Sequence, residues 1–115
     1  AIVLNSAHQG ATATLSGSSG GSFQYYLVHY PGNNSTLSVS VTYASLSGVP
    51  PSAEGFSVYN GSTLEATARA ADDGHGIQAA TWTYQDPNPA TFGIQVFNYA
   101  PGSNVSYTIY QVGSQ

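Results

Sequence analysis

Leu37-Ser38-Val39-Ser40-Val41-Thr42-Tyr43 decides the fold class of this chain. Apolar residues alternate strictly with small hydroxyl residues, and β-branched side chains occupy both phases. Successive side chains of an extended strand point to opposite faces, so this run reads as a half-buried antiparallel strand.

The same two-residue period recurs on both sides of it. Thr12–Leu15 is a short run. Phe23–Tyr30 sets Phe23, Tyr25 and Leu27 on one phase. Phe56–Tyr59 and Ser62–Glu65 flank Asn60-Gly61, the strongest short hairpin signal in the chain. Ile77–Tyr84 aligns Ala80, Trp82 and Tyr84. Thr91–Tyr99 aligns Phe92, Ile94 and Val96, and Val105–Val112 aligns Val105, Tyr107 and Ile109. Between the runs stand turn formers: Ser16–Ser22, Pro31–Asn34, Gly48–Pro51, Asp72–Gly76, Asp86–Pro89 and Pro101–Ser103. Ser62–Ala71 alone competes as a helix, through Leu64-Glu65-Ala66 and its alanines. The pattern predicts an all-β, antiparallel two-sheet β-sandwich, jelly-roll-like, of about seven or eight strands. Its expected core contains Leu37, Val39, Val41, Trp82, Phe92, Ile94 and Val96.

Residues 11–115 form the predicted sandwich, and residues 1–10 form an N-terminal strand and hinge. Ala1-Ile2-Val3-Leu4 is the most apolar run, and the polar stretch Asn5–Gly10 follows it. Two readings stand: a first strand of its own sheet, or a strand donated to a neighbouring subunit. A chain opening on Ala1 rather than Met is expected to be a processed product or an excised fragment.

Composition narrows the function. Of 115 residues only 5% are charged, yet 41% are hydrophobic and 12% aromatic. An average domain has about 25% charged residues, and a disordered chain is poor in apolar ones. Arg69 is the single basic residue besides histidines, and the net charge is −4. That balance excludes nucleic-acid and anionic-membrane partners. No stretch approaches a membrane span. The chain has no cysteine, so thiol chemistry is excluded. The Ser/Thr-rich, lysine-free composition points to an extracellular or cell-surface location.

A catalytic site needs a positioned acid, base or nucleophile. Glu54, Glu65, Asp72, Asp73, Asp86, His8, His29 and His75 supply the candidates, and none sits in a recognisable motif. No catalytic residue, cofactor site or metal site is assigned. The loop Asp72-Asp73-Gly74-His75-Gly76 lacks the ligand spacing that calcium requires and reads as a solvated turn. Asn33, Asn34, Asn60 and Asn104 each head an Asn-x-Ser/Thr sequon in a predicted turn, where a glycan acceptor must lie. Tyr26, Tyr30, Tyr59, Phe97, Tyr99 and Tyr110 fall on the phase opposite the expected core. They read either as scattered exposed aromatics or as a binding or packing face.

Several segments carry a family likeness: Leu15-Ser16-Gly17 with Phe23-Gln24-Tyr25-Tyr26, Gly55-Phe56-Ser57-Val58-Tyr59-Asn60-Gly61, Thr91-Phe92-Gly93-Ile94-Gln95-Val96-Phe97, and Ser106-Tyr107-Thr108-Ile109. Over residues 11–112 the chain resembles the bacterial and archaeal pre-peptidase C-terminal domain family. That family ends on a Y-x-V-x-V strand, a Gly/Ser turn and a Y-x-L-x-V strand. The resemblance implies a jelly-roll-like sandwich appended to exported proteins, without catalysis of its own, linked to substrate binding, secretion or surface attachment. The acidic residue usual before the first aromatic pair is Gln24 here, so no calcium role is carried over.

The expected function is a non-catalytic structural subunit of an extracellular filament or similar assembly, self-associating by strand donation and glycosylated. The alternative is an accessory carbohydrate- or protein-binding module of a secreted hydrolase. Lysines that normally guard sheet edges are missing altogether, which suits a covered surface.

Overall fold

Strand β4 (Thr36–Ala44) forms as its alternation demands. Leu37, Val39, Val41 and Tyr43 are buried, while the intervening Ser38, Ser40 and Thr42 are only half-buried. The computed structural model describes residues 2–5, 10–44, 53–72 and 77–114. Around β4 the described residues form ten strands and no helix. The others are β1 (Ile2–Leu4), β2 (Ala11–Ser16), β3 (Ser22–Tyr30), β5 (Glu54–Asn60), β6 (Thr63–Arg69), β7 (Ala71–Asp72), β8 (Ile77–Gln85), β9 (Ala90–Asn98) and β10 (Asn104–Val112).

They build two five-stranded sheets, ordered β1-β3-β9-β5-β6 and β2-β10-β4-β8-β7. Every pairing is antiparallel except β1 with β3, which is parallel. The inner faces meet in one core. Val28, Phe56, Val58, Phe92, Ile94 and Val96 of the first sheet face Leu37, Val39, Val41, Val105 and Ile109 of the second. This is the sandwich that the periodicity predicts.

Strand number, turn register and one strand's facing depart from expectation. Ten strands replace the seven or eight because β1 joins a sheet and the chain adds the two-residue β7. The stretch weighed as a helix is β6, held against β5 from Gly55–Arg69 to Asn60–Thr63. Pairing along a neighbour outweighs the helix propensity of Leu64, Glu65 and Ala66. The hairpin turn there centres on Gly61-Ser62 rather than Asn60-Gly61, since Asn60 pairs with Thr63. Gly61 takes φ 64° at the first turn position, the II′ arrangement that glycine favours. The β3–β4 connection instead places Asn33 and Asn34 at φ 58° and 55°, with Ser35 N donating to Gly32 O. That is a type I′ turn, and asparagine tolerates its left-handed backbone.

The largest correction concerns β3. Its phase of Tyr26, Val28 and Tyr30 faces the core, and Tyr25 is 51% exposed. Both phases of Phe23–Tyr30 are apolar, so alternation alone does not say which one turns inward. The hydroxyls decide, because a buried phenol needs a partner. Tyr26 Oη and Tyr107 Oη share a hydrogen bond of 2.7 Å across the sandwich. Tyr30 Oη accepts from Asp86 N at 2.8 Å and directs its proton at Ser35 O, 2.6 Å away. Trp82 lies at the margin of the core, half-buried, with its ring 5.2 Å from Phe92 and 5.4 Å from Tyr84.

Candidate functional site

The outward residues of β3, β9, β5 and β6 form a nearly uncharged face, with aromatic rings at one end. The ladder sets Phe23 opposite Phe97, Phe97 opposite Gly55, and Gly55 opposite Arg69. Gly55 contributes no side chain, so the Arg69 guanidinium reaches across it and lies 5.6 Å from the centre of the Phe97 ring. Tyr99 packs on Phe97 at 5.3 Å and edge-on to Phe23 at 5.8 Å. Phe97 is thereby covered, only 3% exposed although it points away from the core. Gly21 sits beneath the pair. A Cβ there would lie 2.5 Å from Tyr99 and 2.6 Å from Phe23, on a backbone at φ 89°.

In the next row Tyr25 stands opposite Gln95, whose Nε2 donates to Tyr25 Oη at 3.1 Å. Ser57 and Thr67 continue that row. A further row runs Val3, Leu27, Gly93, Tyr59, Leu64, so β1 contributes its middle residue to this face. Of the six aromatics expected opposite the core, Tyr99 and Tyr110 are exposed and Tyr59 is half-buried, while Tyr26, Tyr30 and Phe97 are buried. Tyr25, expected inside, is the most exposed tyrosine of the face. Tyr110 belongs to the other sheet, so the six do not make one face; the exposed rings here are Tyr25 and Tyr99.

The outward residues of the second sheet are mostly hydroxylic, with Tyr110 and Val112 of β10 exposed among them. Thr12 pairs with Thr108 at 3.3 Å, Thr14 with Ser106 at 3.1 Å and Ser40 with Thr81 at 3.1 Å. Ser16 Oγ donates to Asn104 Oδ1 at 3.0 Å. These are cross-strand neighbours, each satisfying the other's hydroxyl.

The described acidic and histidine side chains lie apart. His29 Nδ1 meets Thr91 Oγ1 at 3.0 Å beside a shallow cleft lined by Tyr30, Pro89 and Ala90. Asp86 Oδ1 caps Asn88 N at 2.9 Å. Glu65 is exposed and Glu54 is buried. Among the described residues, no three His, Asp or Glu side chains gather to hold a metal ion. His8, Asp73 and His75 lie outside the described residues, as does Ala1 of the proposed donor strand. Ile2, Val3 and Leu4 pair with Tyr26, Leu27 and Val28 of the same chain, and Leu4 is wholly buried.

All four sequon asparagines are exposed. Asn33, Asn34 and Asn60 lie at one end of the sandwich, because the β3–β4 turn and the β5–β6 hairpin both border the start of β9. Asn104 opens β10 at the other end. No described helix is long and apolar enough to cross a membrane.

This architecture is that of a pre-peptidase C-terminal sandwich. The chain is similar in structure to the pre-peptidase C-terminal domain of collagenase from Bacillus anthracis, with a TM-score of 0.58 over 96% of this chain and 93% of that one. The two sequences are 9% identical, so the likeness is one of fold. No protein-family model matches the sequence, and no curated protein matches it.

Proposed function

We propose that this chain is a non-catalytic extracellular building block that joins copies of itself by exchanging β1. The observation that carries the reading is Leu4. A three-residue strand makes few backbone bonds, yet its Leu4 is wholly buried in the core. The groove beside β3 therefore has to be occupied, and a strand added to an open sheet edge is a recurrent way to occupy one. Parallel pairing lets β1 leave the groove toward the β3–β4 end, where β2 also begins. The six residues between them, with their flanking bonds, reach at most about 24 Å. Donor and acceptor must then lie side by side with these ends together. One-way exchange builds an open chain, and reciprocal exchange closes a dimer.

The collagenase likeness, the near absence of charge and the lack of lysine support an exported module with a covered surface. The sequons Asn33, Asn34 and Asn60 offer one glycosylated end, away from the aromatic face. Deleting residues 1–6 tests the reading. The truncated chain is expected to stay monomeric and to gain thermal stability when a peptide of residues 1–6 is added. Polymers formed by the truncated chain would contradict it.

A second reading rests on Tyr25 and Tyr99, exposed on the nearly uncharged face: an accessory module that stacks these rings on a polysaccharide or protein. Loss of retention on such a ligand in Tyr25→Ala and Tyr99→Ala, with polymerisation unchanged, would support it.

A further inference from the structure

Glu54 opens β5 with its carboxyl group inside the sandwich. The residue is 0% exposed, and neither Oε1 nor Oε2 has a hydrogen-bond partner. Its backbone oxygen, in contrast, is tied to Ala70 N at 2.9 Å, where the chain leaves β6 for the other sheet. The position is therefore fixed while the carboxyl is left unpaired.

Among the described residues, the side chains placed around it are neutral. Tyr43 of β4 is the electrostatic neighbour of Glu54, and its hydroxyl donates to Gly55 O at 3.3 Å. Tyr26 of β3 and Tyr107 of β10 are committed to each other. Gln78 of β8 stands opposite Tyr43, buried, with Oε1 also unpartnered. Asn98 of β9, opposite Glu54, spends its amide on Leu15 O, Ser103 Oγ and Ala100 N. Burial holds the Tyr43 and Tyr107 hydroxyls well above their usual range, so they stay neutral. Arg69, the ladder partner of Gly55, reaches over Phe97 on the outer face. An ionised carboxylate at Glu54 would be buried with no hydrogen-bond donor of its own.

We infer that Glu54 makes this sandwich a proton-tightened fold: it holds a proton while the sheets are closed and releases it when they part around Tyr43. Burial pushes its carboxyl from the usual 4.5 up to about 7. The sign follows from where the proton binds more tightly. The closed state binds it better than the open chain, so the stabilisation is complete below pH 4.5 and is lost as pH rises to about 7. Over that window the closed-to-open ratio is expected to fall by up to roughly 300-fold. Most folds weaken in acid because carboxylates lose cationic partners. With five acids and one arginine, this chain has few such pairs to lose.

Carboxyl carbon NMR of the full chain reads the Glu54 titration directly. A midpoint of 6 or above supports the inference, and one below 5 overturns it. Urea unfolding of wild type from pH 4 to 8.5 should show the midpoint falling up to pH 7 and then levelling. Glu54→Gln and Glu54→Leu should abolish that slope, and an unchanged slope in either variant would overturn the assignment to Glu54.

Discussion

The two sheets of this sandwich share one alternation and present opposite outer faces. The first shows rings: Tyr25 and Tyr99 exposed, Phe23 beside them, and Phe97 under Arg69. The second shows paired hydroxyls, Thr12 with Thr108, Thr14 with Ser106 and Ser40 with Thr81. A hydroxyl pair satisfies itself and water equally well, so the paired part of the second face is complete, and Tyr110 and Val112 are what it leaves exposed. Exposed rings lose free energy to water and gain it from any covering surface. The contrast is one of chemistry: the first sheet's exposed rings gather at one end, and the second sheet's exposed apolar surface is confined to Tyr110 and Val112 of β10.

Breaking the inner phase of β3 should have the largest effect. Tyr30→Ala removes a wholly buried ring and the hydroxyl that joins the β3–β4 and β8–β9 turns, and is expected to cost about 4 kcal/mol in urea unfolding. Tyr25→Ala on the outer phase should cost under about 1 kcal/mol. The reverse order would turn β3 over. Trp82→Ala comes next, at about 2–3 kcal/mol, because the half-buried indole packs on Phe92 and Tyr84. Gly21→Ala forces a side chain into the Phe23–Tyr99 pair on a left-handed backbone. It should cost about 1–2 kcal/mol and shift the aromatic resonances of both rings. The smallest effect belongs to the hydroxyl face. In a double-mutant cycle, Thr14→Val and Ser106→Ala should couple by less than about 0.5 kcal/mol.

Where one phase of a strand is apolar and the other hydroxylic, as in β4, the sequence reveals both the strand and its facing. Where both phases are apolar, as in β3, it reveals the strand and hides the facing. Tyr26 turns inward because Tyr107 awaits its hydroxyl from the other sheet, and no local pattern encodes that distance. The aromatic face was legible as an excess of tyrosine, but its membership depended on the same hidden phase. Phe97 is another case: it points outward yet is buried, because Gly55 opens the path for Arg69 across β5. The unpaired carboxyl of Glu54 left no trace in spacing, since burial of a strand's first residue is decided by what lies opposite. The alanines and leucine of β6 suit a helix as well, and its partner β5 makes it a strand.

The ownership of β1 is the central claim, and the chain's lack of cysteine offers a direct test. Val3 and Leu27 are paired across β1 and β3 on the outer face. A Val3→Cys, Leu27→Cys variant, assembled and then oxidised, links each β1 to the chain whose β3 it pairs with. Strand exchange predicts a ladder of covalent multimers on a non-reducing gel that collapses to a single band on reduction. A single monomer band with its cysteines fully oxidised, at every protein concentration, would show that each chain keeps its own β1 and would contradict the account.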